Sequence, residues 1–146
     1  MDPEIPTVSL VDLGVITDIR IDDDGNPYVE MTPTFAGCPA MDYMRREVVE
    51  KLRAIGFEHP EVVMNLRVPW TTNRLTDQGR AGLRKHGLAP PPQFEGVLQL
   101  EVLNDTPCPH CGSGNTTLKS PFGPTLCRSL HTCNACGEAF EGFKPI

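Results

Sequence analysis

Basic charge is scarce in this chain: 13 Lys and Arg stand against 19 Asp and Glu, for a formal net charge of -6. The footprint that phosphate binding requires is therefore missing, and nucleic acid is a poor partner. The tail repeats the imbalance, with Lys119, Arg128 and Lys144 against Glu95, Glu101, Asp105, Glu138 and Glu141. No apolar run approaches the roughly 20 residues of a membrane span, and MDPEIPTVSL has neither a basic leader region nor a long apolar core. These absences set the expectation of a soluble, cytoplasmic protein. Internal repeats, heptads and paired Glu-x-x-His motifs are also missing, which argues against a di-iron oxygenase core. Cysteine is nearly absent from the first two thirds, where Cys38 stands alone, and the other five of the six crowd into the tail.

Paired CxxC spacing in a reducing compartment reads as metal ligation before it reads as a disulfide framework. Cys108-Pro-His-Cys111-Gly and Cys133-Asn-Ala-Cys136-Gly form two such knuckles, with 21 residues between them. Each can aim two thiolates at one ion while its glycine permits the tight turn, and together they complete a tetrahedral four-thiolate shell. Zinc suits that shell, and its binding energy replaces the core that so short a segment cannot build. Four cysteines also hold iron-sulfur clusters, and spacing alone does not separate the two. Cys127 is left over, either as a small buried residue or as an additional ligand or redox group near the metal. His110 and His131 are expected to face solvent or brace the site.

Residues 15 to 34 alternate apolar and polar positions around Asp24-Gly25-Asn26, which predicts a β-hairpin. Met41, Met44, Val48, Leu52 and Ile55 recur at helical spacing up to Gly56. Val62, Met64, Leu66 and Val68 alternate again as a third strand, and TDQGRAGLRKHG reads as a short helix. DPEIPTVSLVDLG admits a further short helix capped by Ser9 or Thr7. GLAPPPQ is a stiff polar spacer, and FEGVLQLEV reads as a strand leading into the first knuckle. The expected class is α+β: a small three-stranded sheet with packed helices over residues 1–88, a Pro-rich linker and lead-in strand over 89–104, and a β-rich zinc-ribbon-like module over 105–146.

Pro39 suits the first position of a helix, which would put Cys38 at or beside the N-cap. Unpaired N–H groups and the helix dipole would then lower the thiol pKa. The plain alternative is a cysteine packed between sheet and helix. Cys-His proteolysis lacks support, because neither His59 nor His86 can be placed as a base, and Cys38 has no resolving partner at CxxC spacing.

DPEIPTVSLVDLGVI, TPTFAGCPAM and VPWTTNRLTDQGRAGLRKHGLAP resemble, in order, the α+β domain of the metal-sulfur cluster assembly family, which includes the SufT-like factors. The cysteine-rich tail is similar to that of accessory proteins of bacterial phenylacetyl-CoA epoxidase systems. Pro145 stands where some members carry a further cysteine, and the four knuckle ligands are complete without it. The resemblance implies a non-enzymatic role in iron or iron-sulfur cluster delivery, with Cys38 handling the cargo. Asp2, Glu4, Thr32, Thr34, Gly37 and Pro39 fall on the family's characteristic positions. It further implies a [2Fe–2S] epoxidase reductase as client, the oxygenase subunits as a second possible client, and contact with the iron-sulfur assembly machinery. One cysteine per chain cannot enclose a cluster, so a homodimer or a client ligand is expected. A docking subunit that transfers no metal is the alternative.

Overall fold

The computed structural model describes residues 1–35, 37–93 and 100–145. Among the described residues, two sheets with two α-helices make up a mixed α and β architecture. Strand β1 (Ile16–Ile21) runs antiparallel to β2 (Pro27–Met31), as the alternation predicts. Gly25, at φ +84°, takes the left-handed position of their turn, and Asp22 Oδ1 accepts from the backbone N–H groups of Asp24 and Asn26. Strand β3 (Glu61–Met64) then pairs parallel to β2, so helix α1 (Met41–Ala54) serves as the crossover. Met41 and Met44 are buried on its inner face, and Val48 and Leu52 pack against the same core.

Several expectations need correction. Ile55 lies beyond the last helical turn and is 72% exposed. The third strand ends at Met64 because Asn65 turns the chain. Its N–H reaches Met31 O, its side-chain oxygen accepts from Arg67 N, and its carbonyl is taken by Thr32 Oγ1. Leu66 consequently points outward. DPEIPTVSLVDLG forms successive turns in place of a helix. Leu13 N reaches Ser9 O, and Ser9 Oγ accepts from Asp12 N, but the chain leaves this turn at Gly14, whose φ is +73°. The segment still buries Ile5, Val8, Leu10 and Leu13.

Helix α2 (Asp77–His86) is capped by Thr76, whose hydroxyl accepts from Gly79 N, and ends at left-handed Gly87. The interior glycines that weaken its propensity let it seat: a Cβ on Gly82 would lie 2.5 Å from Thr7 O, and one on Gly79 would collide with Asp12 O.

The second sheet has the order β4 (Leu88–Ala89), β7 (Ala139–Phe143), β6 (Arg128–Cys133), β5 (Thr116–Ser120). Strand β4 pairs parallel with β7, so a boundary drawn between residues 88 and 89 falls inside a strand of this sheet. The proline-rich stretch is fastened at its start, with Pro91 buried and its carbonyl accepting from Arg80. Of the lead-in strand, residues 94–99 lie outside the described residues, and Leu100–Asp105 forms 3-10 turns instead.

One apolar core joins the halves. Phe143 of β7 packs at 5.8 Å from Trp70, whose indole N–H donates to Leu13 O. Among the described residues, no helix is long and apolar enough to cross a membrane.

Candidate metal centre and the Cys38 pocket

The two knuckles fold alike. Gly112 N donates to Cys108 O and Gly137 N to Cys133 O, both at 2.9 Å, and the two glycines take φ +77° and +81°. Cys108 N reaches Ser113 O and Cys133 N reaches Glu138 O, which closes each turn in the same way. The sulfur atoms of Cys108, Cys111, Cys133 and Cys136 consequently all lie within 4.8 Å of one another. Cys111 and Cys133 are 3.5 Å apart, and Cys108 and Cys136 are 3.8 Å apart. A tetrahedral ion with sulfur at its usual zinc distance needs about 3.8 Å between ligands. The donor set therefore fits a closed four-thiolate metal centre. The Cys133 thiol is lowered to about 6, chiefly by the backbone N–H of Cys136 against the opposing effect of burial, with Ala135 N–H adding to it.

Of the two nearby histidines, one is buried and the other faces solvent. His131 is buried, stacks on Phe140 at 5.2 Å and shares a 2.8 Å hydrogen bond with Ser129 Oγ. His110 is exposed. Neither joins the four sulfurs.

Cys38 sits elsewhere, in the turn between β2 and α1. Helix α1 begins at Met41 with Ala40 as its N-cap, so Pro39 and Cys38 both precede the helix. Cys38 is half-buried, and its thiol pKa is raised above the ordinary value. Burial is the main cause; the N–H of Ala40 opposes it, while the charges of Glu4, Cys127 and Asp2 add to the rise. The expected N-cap position is taken by Ala40, and at Cys38 burial outweighs the one N–H group that reaches the sulfur.

The thiol opens on a cavity of about 220 Å³, whose lining includes Glu4, Thr34, Gly37, Cys38 and Pro39. Five of the residues at family positions thus converge on one pocket. Asp2 lines a smaller void of about 30 Å³ that also meets Cys38. Its Oδ1 accepts from the N–H groups of Glu4 and Ile5 and fixes the N-terminal turn. Thr32 is set apart: fully buried, it holds the loop after β3 through its hydroxyl, within 2.8 Å of Val68 O and 2.5 Å of Asn65 O.

Proximity in sequence puts Cys127 near the tail metal. In the fold it lines the Cys38 pocket instead, just before β6, with its sulfur 3.1 Å from Thr125 Oγ1. Arg128 beside it bridges the halves, pairing with Glu4 at 3.5 Å and with Glu141 at 2.8 Å. No local spacing announces that meeting, since it depends on how the second sheet docks.

Over its whole length this chain has a relative. It is 37% identical over 145 residues to a putative 1,2-phenylacetyl-CoA epoxidase subunit of Escherichia coli, covering 99% of this chain and 86% of that protein. The chain belongs to the PaaD family. Residues 96–144 match the PaaD zinc beta ribbon domain, and residues 1–62 match the iron-sulfur cluster assembly protein family. The first half is 31% identical to the Fe-S protein maturation auxiliary factor YitW of Bacillus subtilis, over 57% of this chain and 81% of that one. It is 28% identical to the auxiliary factor SufT of Staphylococcus aureus, over 57% of this chain and 94% of the relative. A crystal structure of a DUF59 domain from Bacillus anthracis shares the fold at a TM-score of 0.50 and 28% identity, covering 57% of this chain and 79% of that chain. The PaaD architecture is therefore an iron-sulfur assembly domain extended by a four-cysteine ribbon.

Proposed function

We propose that this PaaD-family chain is a non-enzymatic accessory factor that delivers iron or an iron-sulfur cluster within a phenylacetyl-CoA epoxidase system. Its principal client is the [2Fe–2S] reductase, and the oxygenase subunits form a second client. Cys38 holds the cargo transiently, and the iron-sulfur assembly machinery supplies it. Cys108, Cys111, Cys133 and Cys136 hold zinc, which supplies the cross-link that the ribbon's small core lacks.

The observation that carries this reading is the contrast in setting between the two thiol sites. The ribbon site is complete within the chain, with four sulfurs at tetrahedral separations. A closed shell of this kind is a structural site and retains its ion. Cys38 instead meets an open cavity that Glu4 and Thr34 also line, away from the four ribbon sulfurs. A carrier needs an open setting, because the client must be able to replace a ligand. A cluster also requires more thiolates than Cys38 alone, so a second chain or the client completes its shell.

The reading is tested by co-producing the reductase with this chain or with its Cys38→Ala variant and measuring iron and sulfide per reductase. The expected result is a reductase deficient in both when Cys38 is replaced, with the variant's ribbon zinc retained. Equal loading in the two cases overturns delivery and leaves a docking subunit.

A further inference from the structure

Cys38 and Cys127 come from opposite halves of the chain, yet both side chains line the same two spaces. The outer cavity is about 220 Å³, and the inner void, about 30 Å³, has room for little more than one water-sized or ion-sized particle. Cys38 and Cys127 therefore meet at one narrow space. Both also pack against the one apolar core that joins the halves. The charged groups facing the void are Asp2, Glu4 and Arg128, and Arg128 is already paired with Glu4 and Glu141.

We propose that Cys127 is a second thiolate ligand of the Cys38 site, so that the two halves of the chain jointly bind one thiophilic divalent cation. The inference rests on the carrier reading of Cys38 and adds a ligand to it. On binding, the S–H bonds of Cys38 and Cys127 are exchanged for two sulfur–metal bonds, and two protons pass to solvent. Glu4 also lines both spaces and is held by Arg128 at 3.5 Å, so a third ligand from its carboxylate would require that pair to open. A two-thiolate site of this kind exists only while the ribbon is docked, which would make cargo affinity depend on the state of the ribbon.

The test is an anaerobic titration of the zinc-loaded full chain with Co2+, following thiolate-to-metal charge-transfer absorption while ribbon zinc is assayed. One Co2+ per chain beyond zinc is expected. Cys38→Ser and Cys127→Ser should each lower the charge-transfer intensity and weaken binding by more than the roughly tenfold that loss of an outer-shell partner costs. If Cys127→Ser binds normally while Cys38→Ser does not, the two-thiolate site is wrong and the carrier reading stands. If neither substitution matters, both fail. Absence of any Co2+ beyond zinc in the unaltered protein also overturns the site, leaving delivery to the reductase assay. Alkylation of the unaltered chain provides a check independent of variant folding. Co2+ should protect Cys38 and Cys127 together from iodoacetamide, and protection of only one of them contradicts the proposal.

Discussion

The two halves of this chain solve the same problem with different means. The first buries an ordinary apolar set that includes Val15, Val29, Met31, Met41, Met44 and Leu83, and its sheet is held by hydrophobic burial. Among the described residues, the second has around its knuckles a small buried cluster of Ala89, Cys108, Cys133 and Phe140, two of which are candidate metal ligands. What a side-chain core does in one half, four sulfur–metal bonds must do in the other. Thiols that hold a fold must be enclosed by one another, whereas a thiol that hands over cargo must be left short of partners.

Removing the metal should break the symmetry most strongly. Structural zinc in such small sites is worth on the order of 10 kcal/mol. Cys133→Ser, or chelation, should therefore strip amide-exchange protection from β5, β6 and β7 while β1, β2 and β3 keep theirs at a lowered melting temperature. Equal loss in both sheets would show that the halves are a single cooperative unit.

Phe143→Ala sharpens the comparison at the seam. A buried phenylalanine truncated to alanine costs about 3–5 kcal/mol, and Trp70 would lose its ring neighbour. Thermal unfolding should shift downward and separate into two transitions, with ribbon zinc unchanged. Thr32→Val comes next, at about 1–3 kcal/mol, because the carbonyls of Asn65 and Val68 lose their shared donor. Denaturant unfolding measures it, and the loss belongs to the first half alone.

The smallest effect is on rate. The raised pKa of Cys38 means that less of it is thiolate at neutral pH than in an exposed cysteine with a pKa of about 8.5. Iodoacetamide should label it more slowly at pH 7, and the rate should keep climbing after a free thiol has levelled off. Glu4→Gln removes a negative charge that contributes to the rise, so it should move that profile to lower pH.

The legible parts of the molecule are those with a local cause. Alternation around Gly25 specifies the hairpin, helical spacing from Met41 to Leu52 specifies α1, and CxxCG specifies the metal centre. Sequence and structure part where distant contacts decide. Thr32 captures Asn65 O and ends β3 early, a bond between residues far apart in the chain. Pro39 is compatible with a helix start, but the helix begins after it, and burial by both halves of the chain then sets the pKa of the Cys38 thiol. Cys127 has the ribbon ligands as its sequence neighbours, although the fold of β6 against β7 carries it to the other half. Side chains that meet through docking leave no periodic trace.

The most direct test of cargo handling at Cys38 is metal analysis of the full chain produced anaerobically in its native background, intact and as Cys38→Ala. Zinc, iron and acid-labile sulfide per chain would be measured together. About one zinc per chain is predicted in both proteins, as a single closed site holds, with iron and sulfide only where Cys38 is intact. Iron and sulfide that follow the ribbon cysteines and ignore Cys38 would contradict it.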